Sequence, residues 1–151
     1  MIIIDEGGNE IKKVMIPRIN LNNYLKKKNC LAHGSLFISK KTLRDVGNYN
    51  DEMFFAQDYD LLLRISTKYD ISFAGDFLYK LRRNKDSISY KKYYSQLLYA
   101  AIAKANFIYL ENGNLSILEK KLIFLRELLY TFIISYKMGI PKFLRELNLI
   151  R

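Results

Sequence analysis

The stretch Phe55-Ala56-Gln57-Asp58-Tyr59-Asp60-Leu61-Leu62-Leu63-Arg64 decides how the chain is read. Two carboxylates stand one residue apart ahead of an apolar run. Leu61, Leu62 and Ile65 recur at helical spacing, which predicts a helix from about Asp58 to Tyr69. Asp58 and Asp60 then open it, where unpaired backbone N–H groups and the positive end of the helix dipole favour negative charge. Asp58 is thereby either a plain helix cap or a carboxylate positioned for chemistry.

Outward from this helix the chain alternates strands and helices. Upstream, Cys30 to Ile38 reads as a strand containing His33-Gly34-Ser35, Ser39 caps a short helix over Lys40 to Val46, and Gly47 stops it. At the start, Ile2 to Ile4 and Ile11 to Ile16 form a hairpin, because Gly7, Gly8 and Asn9 between them tolerate the positive backbone angles of a tight turn; Pro17 ends the pairing. Downstream, Ile71 to Ala74 and Phe77 to Arg82 read as two short strands.

From Ser89 onward only helical patterning remains. One helix runs from Tyr90 to Glu111, closed by Asn112-Gly113. Ser116 and Glu119 form a capping box for a second, Ile117 to Met138, and Gly139-Ile140-Pro141 breaks the chain before a short last helix. The expectation is an α/β piece over residues 1–88 with an all-helical tail over 89–151. So few strands leave open sheet edges, so other strands are expected to complete the sheet.

Bulk properties narrow the partners. Half of the 151 residues are apolar, which excludes a disordered chain, and the net charge of +10 fits nucleic acid, an anionic lipid surface or phosphate-bearing substrates. One cysteine, Cys30, forbids an internal disulfide and points to a reducing compartment, the cytoplasm. Met1-Ile2-Ile3-Ile4-Asp5 lacks the basic start of a signal peptide. Arg126 and Glu127 interrupt the most apolar region before it reaches the roughly 18 uncharged residues of a membrane span.

Between His33 and Ser89 several blocks follow one another: His33-Gly34-Ser35, Lys40-Lys41, Val46-Gly47-Asn48-Tyr49, Gln57-Asp58-Tyr59-Asp60, and Arg82-Arg83-Asn84 with Ser87. In this order they resemble the downstream half of family 2 of the inverting glycosyltransferases, whose members have the GT-A nucleotide-sugar-binding fold. The resemblance implies a partial GT-A-type mixed sheet with flanking helices and a role in polysaccharide biosynthesis. It makes Asp58 the general base that takes the proton of an acceptor hydroxyl. His33, Gly34, Ser35 and Gln57 become substrate-binding residues of the cleft, and Arg82, Arg83, Asn84 and Ser87 a loop near the donor diphosphate, where cationic forks and hydroxyls suit phosphate. Gln57 stands where the family commonly has an acid, and Asn84 where it has a histidine.

The family's metal-binding Asp-x-Asp lies upstream, at the end of a nucleotide-binding strand, so Asp58 and Asp60 at a helix start are assigned no metal. The resemblance implies a divalent cation, Mg or Mn, in the complete enzyme, with most of its ligands outside this chain. It likewise implies a nucleotide-diphosphate sugar donor, a glycan or lipid-linked acceptor, and a donor-binding N-terminal half that another chain could supply. By itself the chain is expected to be inactive.

Two other readings stay open at this stage. The helix around Leu122 to Tyr136, apolar nearly all round with flanking cations, fits the plane of an anionic membrane surface, hence the inner face of a membrane, or a helix hairpin packed on the catalytic piece. A basic nucleic-acid module is disfavoured, because Tyr93, Tyr94 and Tyr109 follow an apolar stripe and no recognition motif is present; an inactive truncated paralogue is the remaining alternative.

Overall fold

Three isoleucines in succession suit a strand covered on both faces, and Ile2–Ile4 (β1) is buried throughout. In this computed structural model, which describes residues 1–16, 20–84 and 86–146 and the side chains there except at 89, 90 and 134–146, β1 lies between two exposed strands. Glu10–Lys13 (β2) pairs with it antiparallel, Ile2 opposite Lys13. Lys80–Arg82 (β3) pairs with it parallel, Ile2 beside Lys80. The turn that joins β1 to β2 is pinned by the Asp5 carboxylate, which accepts from the Asn9 backbone N–H at 2.8 Å and from Asn9 Nδ2 at 3.1 Å, with Gly8 at φ +93°. These bonds, the side-chain one foremost, hold the Asp5 carboxyl below its ordinary range.

A parallel partner demands a long crossover, and here it carries the helices. They are Leu21–Leu25 (α1), Lys40–Asp45 (α2) and Gln57–Ser66 (α3). The tail adds Ile88–Lys91 (α4), Tyr93–Asn112 (α5) and Ile117–Glu146 (α6). The class is therefore α/β, with a small mixed sheet of order β2-β1-β3. Among the described residues no helix is long and apolar enough to cross a membrane.

The helix α3 is the hub. Its Tyr59, Leu62 and Leu63 share one buried cluster with Leu25, Met53 and Ala56 and with Ala103 and Phe107 of α5. Each large side chain in that cluster contributes roughly 1.5–3 kcal/mol by leaving water. The tail thus packs against the α/β piece through α5. Tyr59 Oη donates to the Leu25 carbonyl at 2.6 Å, and burial, foremost, raises its pKa. Asn22 of α1 closes the other end of α3, donating to the carbonyls of Ser66 and Tyr69 at 3.1 and 2.9 Å.

Several elements depart from the sequence reading for visible reasons. Cys30 to Ile38 is no strand: His33–Ser35 forms a single 3₁₀ turn, in which Ser35 Oγ donates back to Ala32 O at 2.7 Å and so competes with sheet pairing. Ile71 to Ala74 is no strand either, because the Ile71 N–H is taken by Asn22 Oδ1 at 3.0 Å. Of Phe77 to Arg82 only Lys80–Arg82 pairs along β1, preceded by Ile2 N–H donating to Tyr79 O at 2.9 Å. The helix read from Tyr90 is divided at Lys92, whose φ −117° and ψ 35° are not helical.

The break at Gly139-Ile140-Pro141 is absent, since α6 continues to Glu146; a proline removes one N–H from the ladder, and the bonds on either side carry the helix past it. The expectations at Pro17 and for the last five residues lie outside the described residues. The capping box is present as read: Ser116 Oγ and N–H both donate to Glu119 Oε2, at 2.7 and 2.8 Å, and Glu119 N–H returns to Ser116 Oγ at 3.3 Å.

Candidate functional site

The approach to α3 is shaped by its two acids and one arginine. Ala56, just ahead of the helix, sits at φ +52°, a left-handed conformation that a residue with a Cβ adopts only at a cost of order 1 kcal/mol or more, and the helix starts abruptly at Gln57. Asp58 is therefore in the first turn and not the cap. Its side chain is half-buried, and Oδ2 accepts from Asn29 Nδ2 at 3.3 Å. Gln57 beside it is exposed.

Asp60 turns the opposite way. Its carboxylate is buried and takes both Arg64 Nε at 3.0 Å and Arg64 Nη2 at 2.8 Å, one helical turn on. Arg64 Nη1 also donates to the Val46 carbonyl, at the end of α2. Asp60 and Arg64 thus fasten α2 onto α3, joined by Lys68 Nζ to Asp45 O at 2.8 Å and Tyr69 Oη to Asp45 Oδ2 at 2.5 Å. That last bond, foremost, raises the Tyr69 pKa. Gly47 and Asn48 then turn the chain away, at φ +85° and +59°.

With its charge compensated by Arg64, Asp60 does not fit as a ligand for a divalent cation, and Asp58 without it is a single carboxylate. Among the described residues no three His, Cys, Asp or Glu side chains cluster as a metal site.

The other candidate residues find separate neighbours. His33 is exposed, with Nε2 2.8 Å from Tyr49 Oη, so the turn at His33–Ser35 touches the loop leading to α3. Gly34 lies against Tyr79: a Cβ there would be 2.3 Å from Tyr79 Oη and 2.8 Å from Tyr79 Cζ, so the ring would have to shift. Ser35 is exposed and bonded within its own turn. Arg82 Nη1 donates to the carbonyls of Asp5, at 3.1 Å, and Glu6, which ties β3 to the hairpin turn. Arg83 is exposed, with its N–H paired to Ile4 O at 2.8 Å. Asn84 Oδ1 accepts from the Asp86 N–H at 2.7 Å, and Ser87 stands at the start of α4.

The sequence did not reveal Asn29 or the aromatic surface ahead of Asp58. Asn29 follows a basic connector with no periodic relation to α3, and no local signal links the two. Phe54 and Phe55 both set their rings edge-on to Tyr99 of α5, at 6.3 and 5.5 Å between centroids. Phe54 is largely exposed. Two adjacent phenylalanines before an acidic helix start are the one visible hint of this surface.

No family model, curated protein or solved structure matches the chain.

Proposed function

We propose that this chain forms the acceptor side of an inverting, nucleotide-sugar-dependent glycosyltransferase with a GT-A-type fold, and that Asp58 is its general base. The supporting observation is the divergence of two acids on one helix turn: Asp60 is consumed by Arg64, while Asp58 stays partly accessible beside one neutral donor, Asn29. A base needs a positioned carboxylate within reach of the acceptor, and the first turn of a packed helix supplies the position.

In the proposed step the acceptor hydroxyl passes its proton to Asp58 as its oxygen bonds to the anomeric carbon. The bond from that carbon to the diphosphate breaks, and its electron pair leaves on the nucleotide diphosphate. Attack opposite to the leaving group inverts the anomeric centre. Gln57 and the His33–Ser35 turn contact the acceptor, the exposed ring of Phe54 gives a sugar an apolar face, and Arg83 with Asn84 and Ser87 faces the diphosphate. The acceptor is a glycan or lipid-linked sugar, and the enzyme works in the cytoplasm at a membrane face. No step is routed through a metal at Asp58 and Asp60.

The test is the anomeric configuration of the product, read by proton NMR from a reaction of the complete enzyme with a nucleotide-diphosphate sugar. Inversion is the expected result. Retention of configuration, or transfer that proceeds unchanged without this chain, overturns the proposal.

A further inference from the structure

One surface cavity is lined by six residues, four of them cations. Lys26 and Lys27, just after α1, Lys104 of α5, and Arg126, Glu127 and Tyr130 of α6 line an open cavity of about 290 Å³. At ~30 Å³ per liquid water that is room for several solvent molecules, or for one phosphate group with its ester substituents. Four cations against one carboxylate leave the lining formally +3, or +2 after Lys26 pairs with Glu111 at 2.6 Å outside it.

The lining is fixed from behind. Lys104 and Glu127 are both buried and meet at 2.7 Å, with Lys104 Nζ also 4.3 Å from the centre of the Tyr130 ring. Glu127 Oε1 takes Arg126 Nε at 3.0 Å and Arg126 Nη2 at 2.9 Å. The Nε bond, with Nη2 in ion-pair contact, orients the guanidinium, and the rest of its fork of donors remains for a ligand. Lys27 is exposed and forms no ion pair among the described residues.

What adjoins this cavity decides the source of the anion. Leu122 and Leu129 are one helical turn before and after Arg126, and together with Leu118, Leu125 and Ile133 they form an outward stripe of α6 in which every member is at least half exposed. Lys120 and Lys121 are exposed on the same helix. A second copy of the chain would set these cations against like charges, whereas an anionic bilayer complements both the apolar stripe and the +10 net charge.

We propose that this cavity binds the phosphate of an anionic lipid headgroup while the leucine stripe of α6 rests in the interfacial layer of the bilayer. This does not depend on the assignment of Asp58.

The experiment measures partition of the full chain onto vesicles of phosphatidylcholine alone and of phosphatidylcholine with phosphatidylglycerol. Binding is expected only with the anionic lipid. Lys27→Glu changes two charge units on an exposed, unpaired side chain; at about fivefold per charge it weakens partition roughly 25-fold. Leu125→Ser weakens it as well, and Lys40→Glu/Lys41→Glu, remote in the fold on α2, weakens it less than Lys27→Glu alone. Equal binding to both vesicles, or an equal or larger loss in the α2 double variant, overturns the proposal. So does inorganic phosphate that displaces the chain from vesicles at micromolar concentration, which would mark the cavity as a site for a soluble anion.

Discussion

At the level of single residues, two acids two positions apart have been given different work by one arginine. Asp60 bridges to Arg64, which reaches on to Val46, so removing either partner leaves a largely buried charge unmatched. Arg64→Ala is expected to cost about 3 kcal/mol, seen as a lowered midpoint in urea unfolding; a midpoint unchanged from wild type would show that the α2–α3 clamp contributes nothing. Gly34→Ala drives a Cβ into Tyr79 and should cost roughly 1–3 kcal/mol, and the added change Tyr79→Ala should recover part of that loss. Strictly additive losses would place the strain elsewhere. The positions of Asp58 and Asp60 in a first helical turn were legible, because apolar spacing and acid placement act within a few residues of sequence. That Asp60 is the acid consumed follows from spacing, since Arg64 stands four residues on across one helical turn; that Arg64 also reaches the Val46 carbonyl, 18 residues away, was not legible.

Among the elements, helices with local start signals and the short β1–β2 hairpin were read well, and strands whose partners lie far along the chain poorly. Ser39 accepts the Thr42 N–H at 3.0 Å and opens α2 as its sequence demands, and Ser116 with Glu119 does the same for α6. Strands need partners far along the chain: Cys30 to Ile38 looks extended, but local bonds close it into a turn, and a single amide from Asn22 removes Ile71 from any sheet. The α6 box carries a pH signature. Hydrogen bonds from Ser116 hold the Glu119 carboxyl below its ordinary value, so the unfolded chain binds that proton more readily than the folded one. The contribution is present above the unfolded pKa and is lost as pH falls through the lowered folded value. Circular dichroism should show wild type losing its stability advantage over Glu119→Gln as pH drops below about 4. An advantage that persists unchanged there would contradict the capping role.

The whole molecule divides by composition near residue 88 but not in its core. Ala103 and Phe107 of α5 share a buried cluster with Leu25, Met53, Tyr59 and Leu63, so residues 1–88 expressed alone should lack cooperative unfolding, and Phe107→Ala in the full chain should cost about 3–5 kcal/mol. A sharp, native-like thermal transition in the shorter piece would show that the helical tail is an independent appendage. The tail then has two faces, one that completes the core around the candidate site and one that carries the leucine stripe beside the cationic cavity. The central claim is that Asp58, held at the start of the hub helix, takes the acceptor proton. Its most direct test is the transfer rate of the complete enzyme carrying Asp58→Asn, measured alongside its unfolding midpoint. A fall of on the order of 10²–10⁴-fold with an unchanged midpoint is the predicted result. A rate within about twofold of wild type, set against the smallest effect expected of a general base, would contradict it.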